Sequence, residues 1–364
     1  MNQPFSMGKP ILIFPAGMPR SLEYLEQCQR NGQAVIGSSS LAYDVAKPRY
    51  PSWEYLPYIT DPGFNSALAE LIAQHGITGI YTPNPVAWSY LNKVLKIVAP
   101  HVPLINPWPV QEELSGYRAA IKRSQQQAHT LALASATPPK QAVSAMELAS
   151  LFRHANIIPG MCDDEKISAL CEIARHSVKG DVVEIGSAYG KSAFVLARLA
   201  QLYGIGKLLC VDPWKSEYLV QNDAAGLVDD SIQYFDLDET LRVFEMSLLP
   251  YSKGDINYLR LPSTEAAQHY AVRREVVTPT FGSTTYCGKI ALLHIDGNHS
   301  YEAARDDVQS WIGHLASGGW IIIDDYVWPY GDGPQRVGDE LLSSHHDRIN
   351  SAFVMGTALF VQLD

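Results

Sequence analysis

The fold of this chain is decided by the stretch Val182-Val183-Glu184-Ile185-Gly186-Ser187-Ala188-Tyr189-Gly190-Lys191-Ser192. The stretch begins with apolar β-branched residues, passes through a turn of small residues and continues into a helical pattern of apolar side chains. This order predicts a buried parallel strand that leads into a helix through a glycine-containing loop. Such a loop lets a ligand approach the backbone, and the N-terminus of the helix favours anionic groups.

An acidic residue closes the next apolar stretch. Asp212 follows the run Lys207–Val211. An acid at the end of the second strand, about twenty residues past a glycine loop, is suited to bind the hydroxyls of a ribose. The glycines alone are equally typical of an ordinary strand-to-helix turn, and Asp212 is what favours a nucleotide-type ligand.

The glycine spacing selects among nucleotides. A dinucleotide fingerprint has the form G-x-G-x-x-G, whereas Gly186 and Gly190 are four residues apart and Glu184 precedes the first glycine. The pattern E-x-G-x-x-x-G resembles motif I of the class I S-adenosylmethionine-dependent methyltransferases, in which the acid lies near the methionine end of the cofactor. Ala188 departs from the commoner glycine at its position. The resemblance implies S-adenosylmethionine as cofactor, with contacts from Glu184, Gly186, Ser187, Ala188, Tyr189, Gly190, Ser192, Asp212, Pro213 and Trp214.

Length and composition restrict the class of protein. A chain of 364 residues can form two domains, and 46% hydrophobic with 18% charged residues is typical of a folded globular protein. The net charge of −10 argues against a nucleic-acid partner. Five scattered cysteines show no metal-type spacing and indicate a reducing compartment. Because no apolar run has signal-peptide or spanning length, we expect a cytoplasmic protein without a membrane partner.

Strand and helix patterns alternate in the first part of the chain and predict a small parallel α/β domain over residues 1–125. Its strands are predicted at 10–14, 34–37, 79–82 and 102–105. The loop 15–20 could face a nucleotide, but an ordinary connection is favoured because no phosphate-loop lysine follows it. The layout weakly resembles the small domain that precedes the ATP-grasp fold, whose glycine loop and metal carboxylates do not follow here. We therefore expect a domain for substrate binding or self-association, the latter giving a homo-oligomer.

A linker is predicted at residues 126–143, since Ala132–Ala142 is rich in Ala, Thr and Pro. Residues 144–364 form the second predicted domain, for which the methyltransferase resemblance implies the Rossmann-like α/β sheet of the class I fold. The closing runs 352–355 and 357–363 resemble the antiparallel edge hairpin of that sheet. Within this domain, Ser263 is predicted to cap a helix, and the methyltransferase resemblance implies that its loop lies beside the adenine. Residues 271–288 do not fit the usual spacing and indicate an inserted hairpin or lid.

Acidic residues follow four apolar strands of the second domain: Glu184, Asp212, Asp296 and Asp324. The carboxyl ends of strands in an open α/β sheet form one rim, where ligands bind. Asp296, Asp324 and Asp325 can meet at one ion if the strand ends at Asp324 and the chain then curls. Three carboxylates without thiols favour a hard cation, Mg²⁺ first and Mn²⁺ or Ca²⁺ next. The alternative is that these acids cap helices and hold loops.

The sequence around these acids carries a more specific resemblance. The segments I-D-G-N-H-S-Y-E-A-A-R-D-D-V (295–308) and W-I-G-H-L-A-S-G-G-W-I-I-I-D-D-Y (311–326) resemble the family of metal-dependent macrolide-sugar and aminocoumarin-sugar O-methyltransferases. The resemblance spans about residues 158–364. It implies that Asp296, Asp324 and Asp325 are metal ligands, that Asp296 also lies at the cofactor, and that His299 is the catalytic base of the macrolide-sugar branch. The other branch has an acid at position 298, where this chain has Asn298.

The chemistry implied is transfer of a methyl group to a hydroxyl of a sugar or another diol or catechol-like molecule. A histidine base contributes roughly 10²–10⁴-fold, and a neighbouring cation is expected to lower its pKa. His294, inside a predicted strand, is assigned to the core. Two alternatives stay open: a non-methylating nucleotide-binding or ligase-derived α/β module, and a nicotinamide oxidoreductase that uses Gly186–Gly190 as its fingerprint.

Overall fold

The computed structural model describes residues 9–127, 133–135, 137–221 and 226–364. The chain divides into two units, Met1–Arg118 and Ala119–Asp364. The predicted domain limits at 125 and 144 and the predicted linker stay predictions, and linker residues 128–132 and 136 lie outside the described residues.

The first unit contains a four-stranded sheet in the order β3-β2-β1-β4, with every neighbouring pair parallel. Its strands are β1 (Ile11–Ile13), β2 (Val35–Ser39), β3 (Trp53–Tyr55) and β4 (Gly79–Tyr81). Its helices are α1 (Pro19–Arg30), α2 (Phe64–His75) and α3 (Pro85–Val98), followed by α4 (Pro109–Gln127), which crosses the unit boundary. The predicted small parallel α/β domain is therefore confirmed.

One strand of this unit was predicted in the wrong place. Residues 102–105 form only an isolated bridge between Leu104 and Ile80, and the fourth strand is β3. Proline at position 103 has no N–H to extend a ladder. The segment β3 escapes prediction because it has three residues, is flanked by Pro51 and Pro57, and has a charged residue at its centre.

The second unit contains a seven-stranded sheet in the order β12-β13-β11-β10-β5-β6-β7. Its parallel strands are β5 (Asp181–Ile185), β6 (Leu208–Val211), β7 (Ile256–Leu259), β10 (Ile290–Ile295) and β11 (Leu315–Ile323). At one edge, β13 (Ala358–Leu363) pairs antiparallel with both β11 and β12 (Ile349–Met355). The predicted class I methyltransferase sheet, with its antiparallel edge hairpin, is confirmed.

Successive residues of each strand point to opposite sides of this sheet. Because these residues are apolar on both faces, helices cover both. Val182 packs into a core formed with α5 (Ala145–Ala155), α6 (Asp164–Arg175), α7 (Lys191–Tyr203) and α9 (Leu237–Leu248). Val183 packs into the opposite core, formed with α10 (Ser263–Val272), α11 (Tyr301–Trp311) and α12 (Gly333–Ser344). A short helix, α8 (Leu227–Ile232), precedes α9.

The inserted segment 271–288 is a hairpin, as predicted. Its strands β8 (Glu275–Thr278) and β9 (Gly282–Thr285) pair antiparallel. The side-chain amide of Asn257 on β7 donates to the carbonyls of Val276 and Gly282 at 3.0 and 2.8 Å. The hairpin is thus held to the free edge of the large sheet.

Strand register places the predicted site residues on one rim. Backbone bonds continue past the strand ends, from the Asp296 amide to the Ile185 carbonyl and from the Asp324 amide to the Ile295 carbonyl, each 2.9 Å. The predicted convergence of the strand-end acids therefore follows from the pairing of β5, β10 and β11. Across the described ranges, no helix is long and apolar enough to span a membrane.

Candidate active site

Both glycines of the loop after β5 have positive φ angles. Gly186 has φ of 83°, and a Cβ atom there would lie 2.0 Å from the carbonyl oxygen of Asp296. Gly190 has φ of 89° and its amide donates to the Ser187 carbonyl at 2.7 Å. Only glycine satisfies both the backbone angle and the close approach at position 186. The loop after β5 and the loop after β10 are therefore in direct contact.

Asp212 holds the glycine loop from the next strand. Its Oδ2 accepts a hydrogen bond from the Ala188 amide at 2.9 Å, and its Oδ1 accepts from the Trp214 amide at 2.7 Å. The indole of Trp214 returns a bond to the Ala188 carbonyl at 3.0 Å. Burial raises the pKa of Asp212 to about 6, although the two amides oppose this. Each carboxylate oxygen keeps a second acceptor position for a ligand hydroxyl.

Backbone strain is concentrated in this region. Among the described residues, four other than glycine have positive φ: Ala188 (43°), Trp214 (44°), Arg274 (55°) and Asp325 (50°). Three of these four belong to the predicted site. Strained backbone is kept where the surrounding structure enforces it, and it clusters at functional sites. The angle at Asp325 is also the curl that the sequence requires after Asp324.

Glu184 faces the interior. Its Oε2 accepts a hydrogen bond from the Ser187 hydroxyl at 2.6 Å, and its Oε1 lies 3.1 Å from Nδ1 of His294. The side chain is fully buried. Glu184 therefore supports the glycine loop through Ser187, and its direct contact with a cofactor stays a prediction.

His294 is a residue whose place in the site the sequence did not reveal. It is completely buried, as a core residue should be, yet its Nε2 lies 3.7 Å from Oδ2 of Asp324. Burial lowers the pKa of His294, but hydrogen bonding to Asp324 and Glu184 outweighs it and raises the pKa to about 9. His294 thus lies between two carboxylates on neighbouring strands, which favour its protonated form.

Lys166 on α6 is the second residue that sequence reasoning missed. Its side chain is 2% exposed, its Nζ contacts Oδ2 of Asp324, and it lies 3.7 Å from Oδ2 of Asp296. Burial lowers the pKa of Lys166, but the two carboxylates outweigh it and raise that pKa well above its usual value. The sequence did contain a signal that Lys166 points inward. The lysine falls on the same face of the helix as Leu170 and Ile173, which are both buried.

The strand-end acids form two groups. His294, Asp296 and Asp324 make the inner group, and Asp296, His299 and Asp325 make the outer group; the candidate ligand atoms within each group lie within 4.8 Å of one another. Asp296 belongs to both. Burial and the neighbouring Asp324 raise the pKa of Asp296 to about 7, whereas Lys166 holds the pKa of Asp324 low in spite of burial. No group found among the described residues joins Asp296, Asp324 and Asp325 directly.

His299, the predicted base, lies at the outer group beside Asp296 and Asp325. Its Nε2 is 3.4 Å from Oδ2 of Asp325 and 3.9 Å from Oδ1 of Asp296. Both ring nitrogens are buried without a hydrogen-bond partner, and the ring packs edge-on against Trp328. Burial lowers the pKa of His299, but the two carboxylates raise it above its usual value. The lower pKa expected beside a cation stays a prediction about the ion-bound protein.

Asn298 has a structural role. Its amide nitrogen donates to the carbonyls of Tyr218 and Val220 at 3.0 and 2.7 Å, and its Oδ1 accepts from the Ser300 amide at 2.9 Å. The side chain joins the loop after β6 to the turn that carries His299. Its carboxamide is not basic enough to take a proton from an acceptor hydroxyl.

The remaining predicted contacts lie near the same rim. Tyr189 packs against the α7 side of the core, and Ser192 is buried in the first turn of α7. The carbonyl of Pro213 accepts from Arg260 Nε at 3.4 Å. The predicted cap at Ser263 is wrong, because Pro262 occupies the cap position and the Ser263 hydroxyl accepts from Trp311 Nε1 at 2.9 Å. Its contact with an adenine stays a prediction.

Comparison with known proteins gives a match within the second unit. Residues 183–326 match the profile of a family described as a methyltransferase domain. This segment runs from the strand before the glycine loop to the residue after Asp325, so it contains both halves of the site. The second unit therefore contains a region similar to methyltransferase domains. No curated protein sequence matches the chain.

Solved structures with a similar arrangement are distant. The O-methyltransferase NovP is 15% identical, with 51% of this chain and 72% of that chain covered and a TM-score of 0.38. The SAH-bound methyltransferase PaMTH1 of Podospora anserina is 12% identical, with 68% and 96% covered and a TM-score of 0.40. MycE, a methyltransferase of the mycinamycin biosynthetic pathway in complex with Mg and SAH, is 19% identical, with 51% and 45% covered and a TM-score of 0.31. Functional assignment at this distance rests on the residues of the present chain.

The contact between Gly186 and Asp296 predicts a large cost for substitution. Gly186→Ala should lower the free energy of unfolding by at least about 4 kcal/mol. The new Cβ would clash with the Asp296 carbonyl, and alanine would also be strained at this positive φ. Gly254→Ala is the matched control, since Gly254 has φ of 80° with nothing within 4 Å, and should cost about 1–2 kcal/mol. Urea unfolding measures both. Equal losses would mean that the close approach at Gly186 is unimportant.

Proposed function

We propose that the second unit transfers the methyl group of S-adenosylmethionine to a hydroxyl oxygen of a small molecule, either a sugar or another diol or catechol-like acceptor. The observation that carries this proposal is His299, with two unpartnered ring nitrogens beside Asp296 and Asp325. The turn that carries His299 begins at Asp296, whose carbonyl adjoins the glycine loop. A proton acceptor thus lies on the same rim as the predicted cofactor loop.

When bound, S-adenosylmethionine supplies an electrophilic methyl group on a sulfonium centre. Gly186 and Gly190 leave the backbone of the loop accessible to it, and Asp212 has acceptor positions for the ribose hydroxyls. The other residues that we propose for this site are Glu184, Ser187, Ala188, Tyr189, Ser192, Pro213, Trp214, Ser263 and Asp296.

Asp212→Ala should weaken S-adenosylmethionine binding about 10- to 150-fold, the loss expected for a charge-assisted hydrogen bond. Isothermal titration calorimetry measures the affinity, and thermal unfolding checks that the variant is folded. Asp306→Ala is the control, because that carboxylate is half exposed on α11 and forms an ion pair with the neighbouring Arg305. An unchanged affinity in Asp212→Ala would remove this residue from the cofactor site.

We assign the proton transfer to His299. A neutral imidazole nitrogen can accept the proton of an acceptor hydroxyl, and general-base catalysis of this kind contributes roughly 10²–10⁴-fold. Asp296 and Asp325 lie close enough to orient the ring and to stabilise the imidazolium that forms. Alignment of the hydroxyl with the methyl group is worth more, with roughly 7–11 kcal/mol available from positioning two reactants.

His299→Ala should lower the rate of methyl transfer by about 10²–10⁴-fold and leave cofactor affinity unchanged. In the native protein, the rate should rise with pH as His299 loses its proton, and this acid limb should be absent from the variant. Transfer of labelled methyl groups at several pH values measures both effects. His346→Ala serves as control, since His346 is exposed after α12. A variant with native rate and pH profile would show that His299 is not the base.

We propose that a divalent cation binds on the outer side of the carboxylate cluster. The carboxylates of Asp296 and Asp325 form a donor set that suits Mg²⁺ or Mn²⁺ and leave the imidazole of His299 free to act as the base. Asp296 and Asp325 would hold the ion, while Asp324, the third predicted ligand, contacts Lys166. A bound ion would supply positive charge to adjacent hydroxyls of the acceptor.

Exhaustive chelation should abolish methyl transfer, and added Mg²⁺ should restore it, without an effect on S-adenosylmethionine affinity. The separation is expected because the carboxylates of the outer group lie on the loops after β10 and β11, whereas Asp212 and the glycine loop belong to β6 and β5. Parallel activity and calorimetric measurements test it. Full activity after chelation would show that the acids need no divalent ion.

For the first unit we propose substrate binding or self-association. A cavity of about 770 Å³ in this unit supports the first role, and its lining includes Asp44, Lys47, Tyr50 and Trp53. The mixture of charge and aromatic surface is typical of sites for small polar ligands.

A further inference from the structure

The inner half of the carboxylate cluster already contains a cation. Lys166 Nζ contacts Oδ2 of Asp324, lies 3.7 Å from Oδ2 of Asp296, and donates to the Met161 carbonyl at 3.5 Å. The ammonium group therefore lies beside two of the three carboxylates of the predicted metal site, those of Asp296 and Asp324. Its side chain and that of Asp324 are 2% and 3% exposed.

The position of Lys166 is set by the start of α6. Asp163 occupies the cap position, and its Oδ1 accepts a hydrogen bond from the Lys166 amide at 2.7 Å. The residues that follow, including Ile167 and Leu170, are buried in the helix–sheet core. The backbone of Lys166 is thus fixed at both sides, and its side chain is directed inward from a rigid element.

We propose that the Lys166 ammonium is the resident cation of the Asp296–Asp324 pair and excludes a divalent ion from between these two carboxylates. A divalent ion is then confined to the side of Asp296 that faces Asp325 and His299. This inference goes beyond the proposed methyl transfer and does not depend on it, because ion binding can be measured without cofactor or acceptor.

The hydrogen bonds of Asp324 support this assignment. While Oδ2 contacts Lys166, Oδ1 accepts from the Asp325 amide at 3.0 Å and from the Thr357 hydroxyl at 3.5 Å. A divalent ion needs carboxylate oxygens at about 2.0–2.6 Å, so it would have to displace one of these partners. The ring of His294, whose Nε2 lies 3.7 Å from the same Oδ2, occupies further space beside this oxygen.

Electrostatics leads to the same conclusion. Two cations that share one buried carboxylate repel each other strongly, because the surroundings screen charge poorly. Removal of the lysine charge would leave the Asp324 carboxylate buried without its ammonium partner, and a divalent ion would then replace the missing charge. Lys166→Met keeps the length and apolar stem of the side chain while it removes the ammonium, so it creates this situation with little change in packing.

The test uses Mn²⁺ as the probe and the full chain without cofactor. Electron paramagnetic resonance of free Mn²⁺, supported by calorimetry, measures affinity in the native protein, in Lys166→Met and in Lys166→Met/Asp324→Asn. We expect Lys166→Met to bind Mn²⁺ at least about tenfold more tightly than the native protein, and the double variant to lose this gain. Lys253→Met, at an exposed lysine of the same unit, should match the native protein.

Two results would overturn the proposal: native Mn²⁺ affinity in Lys166→Met, or a gain that persists without the Asp324 carboxylate. If Lys166→Met folds poorly, thermal unfolding of the native protein, both single variants and the double variant provides a second test. Asp324→Asn should then recover part of the melting temperature lost in Lys166→Met, since it removes the unpaired buried charge. Additive losses would show that the two side chains do not form a pair and would also overturn the proposal.

Discussion

The structure of the second unit depends on a cluster of charged side chains that is buried at the ends of three neighbouring strands. Glu184, His294 and Asp324 come from β5, β10 and the end of β11, and all three are almost inaccessible to water. Burial of a single charge would be strongly unfavourable, but paired and hydrogen-bonded charges are tolerated. Here His294 lies between the Glu184 and Asp324 carboxylates, and Lys166 contacts Asp324 from α6. Removal of any one of these groups would leave an uncompensated charge in the core.

This buried cluster links the two halves of the site. Glu184 holds the glycine loop through the Ser187 hydroxyl, and Asp324 continues into Asp325, whose carboxylate lies beside His299. The carbonyl of Asp296 meets Gly186 directly. The loop proposed for the cofactor and the residues proposed for the acceptor therefore rest on the same strand ends, and their relative position is fixed by sheet register. Such a scaffold suits a reaction in which alignment contributes most of the rate.

The sequence predicted the sheet of the second unit because its strands are nearly continuous apolar runs that end in an acid, and each acid then lies on one rim. The sequence therefore predicted which acids lie on the rim, but not the buried side chains that contact them. Lys166 follows three acidic residues at the start of a helix and reads as a solvated first-turn lysine, and only the burial of its neighbours reveals where it points. His294 was correctly placed in a strand, but its pairing with Glu184 depends on a register that no local pattern shows. In the first unit, β3 is too short and too proline-flanked to be distinguished from a loop.

The proposed reaction requires that the rim of the large sheet binds S-adenosylmethionine and not another nucleotide. Calorimetric titration of the full chain with S-adenosylmethionine, ATP and NAD, each in a separate experiment, distinguishes these ligands. We expect saturable binding of S-adenosylmethionine at one site per chain, with no heat of binding from ATP or NAD at that site. Binding of NAD or ATP with no response to S-adenosylmethionine would contradict the proposed reaction.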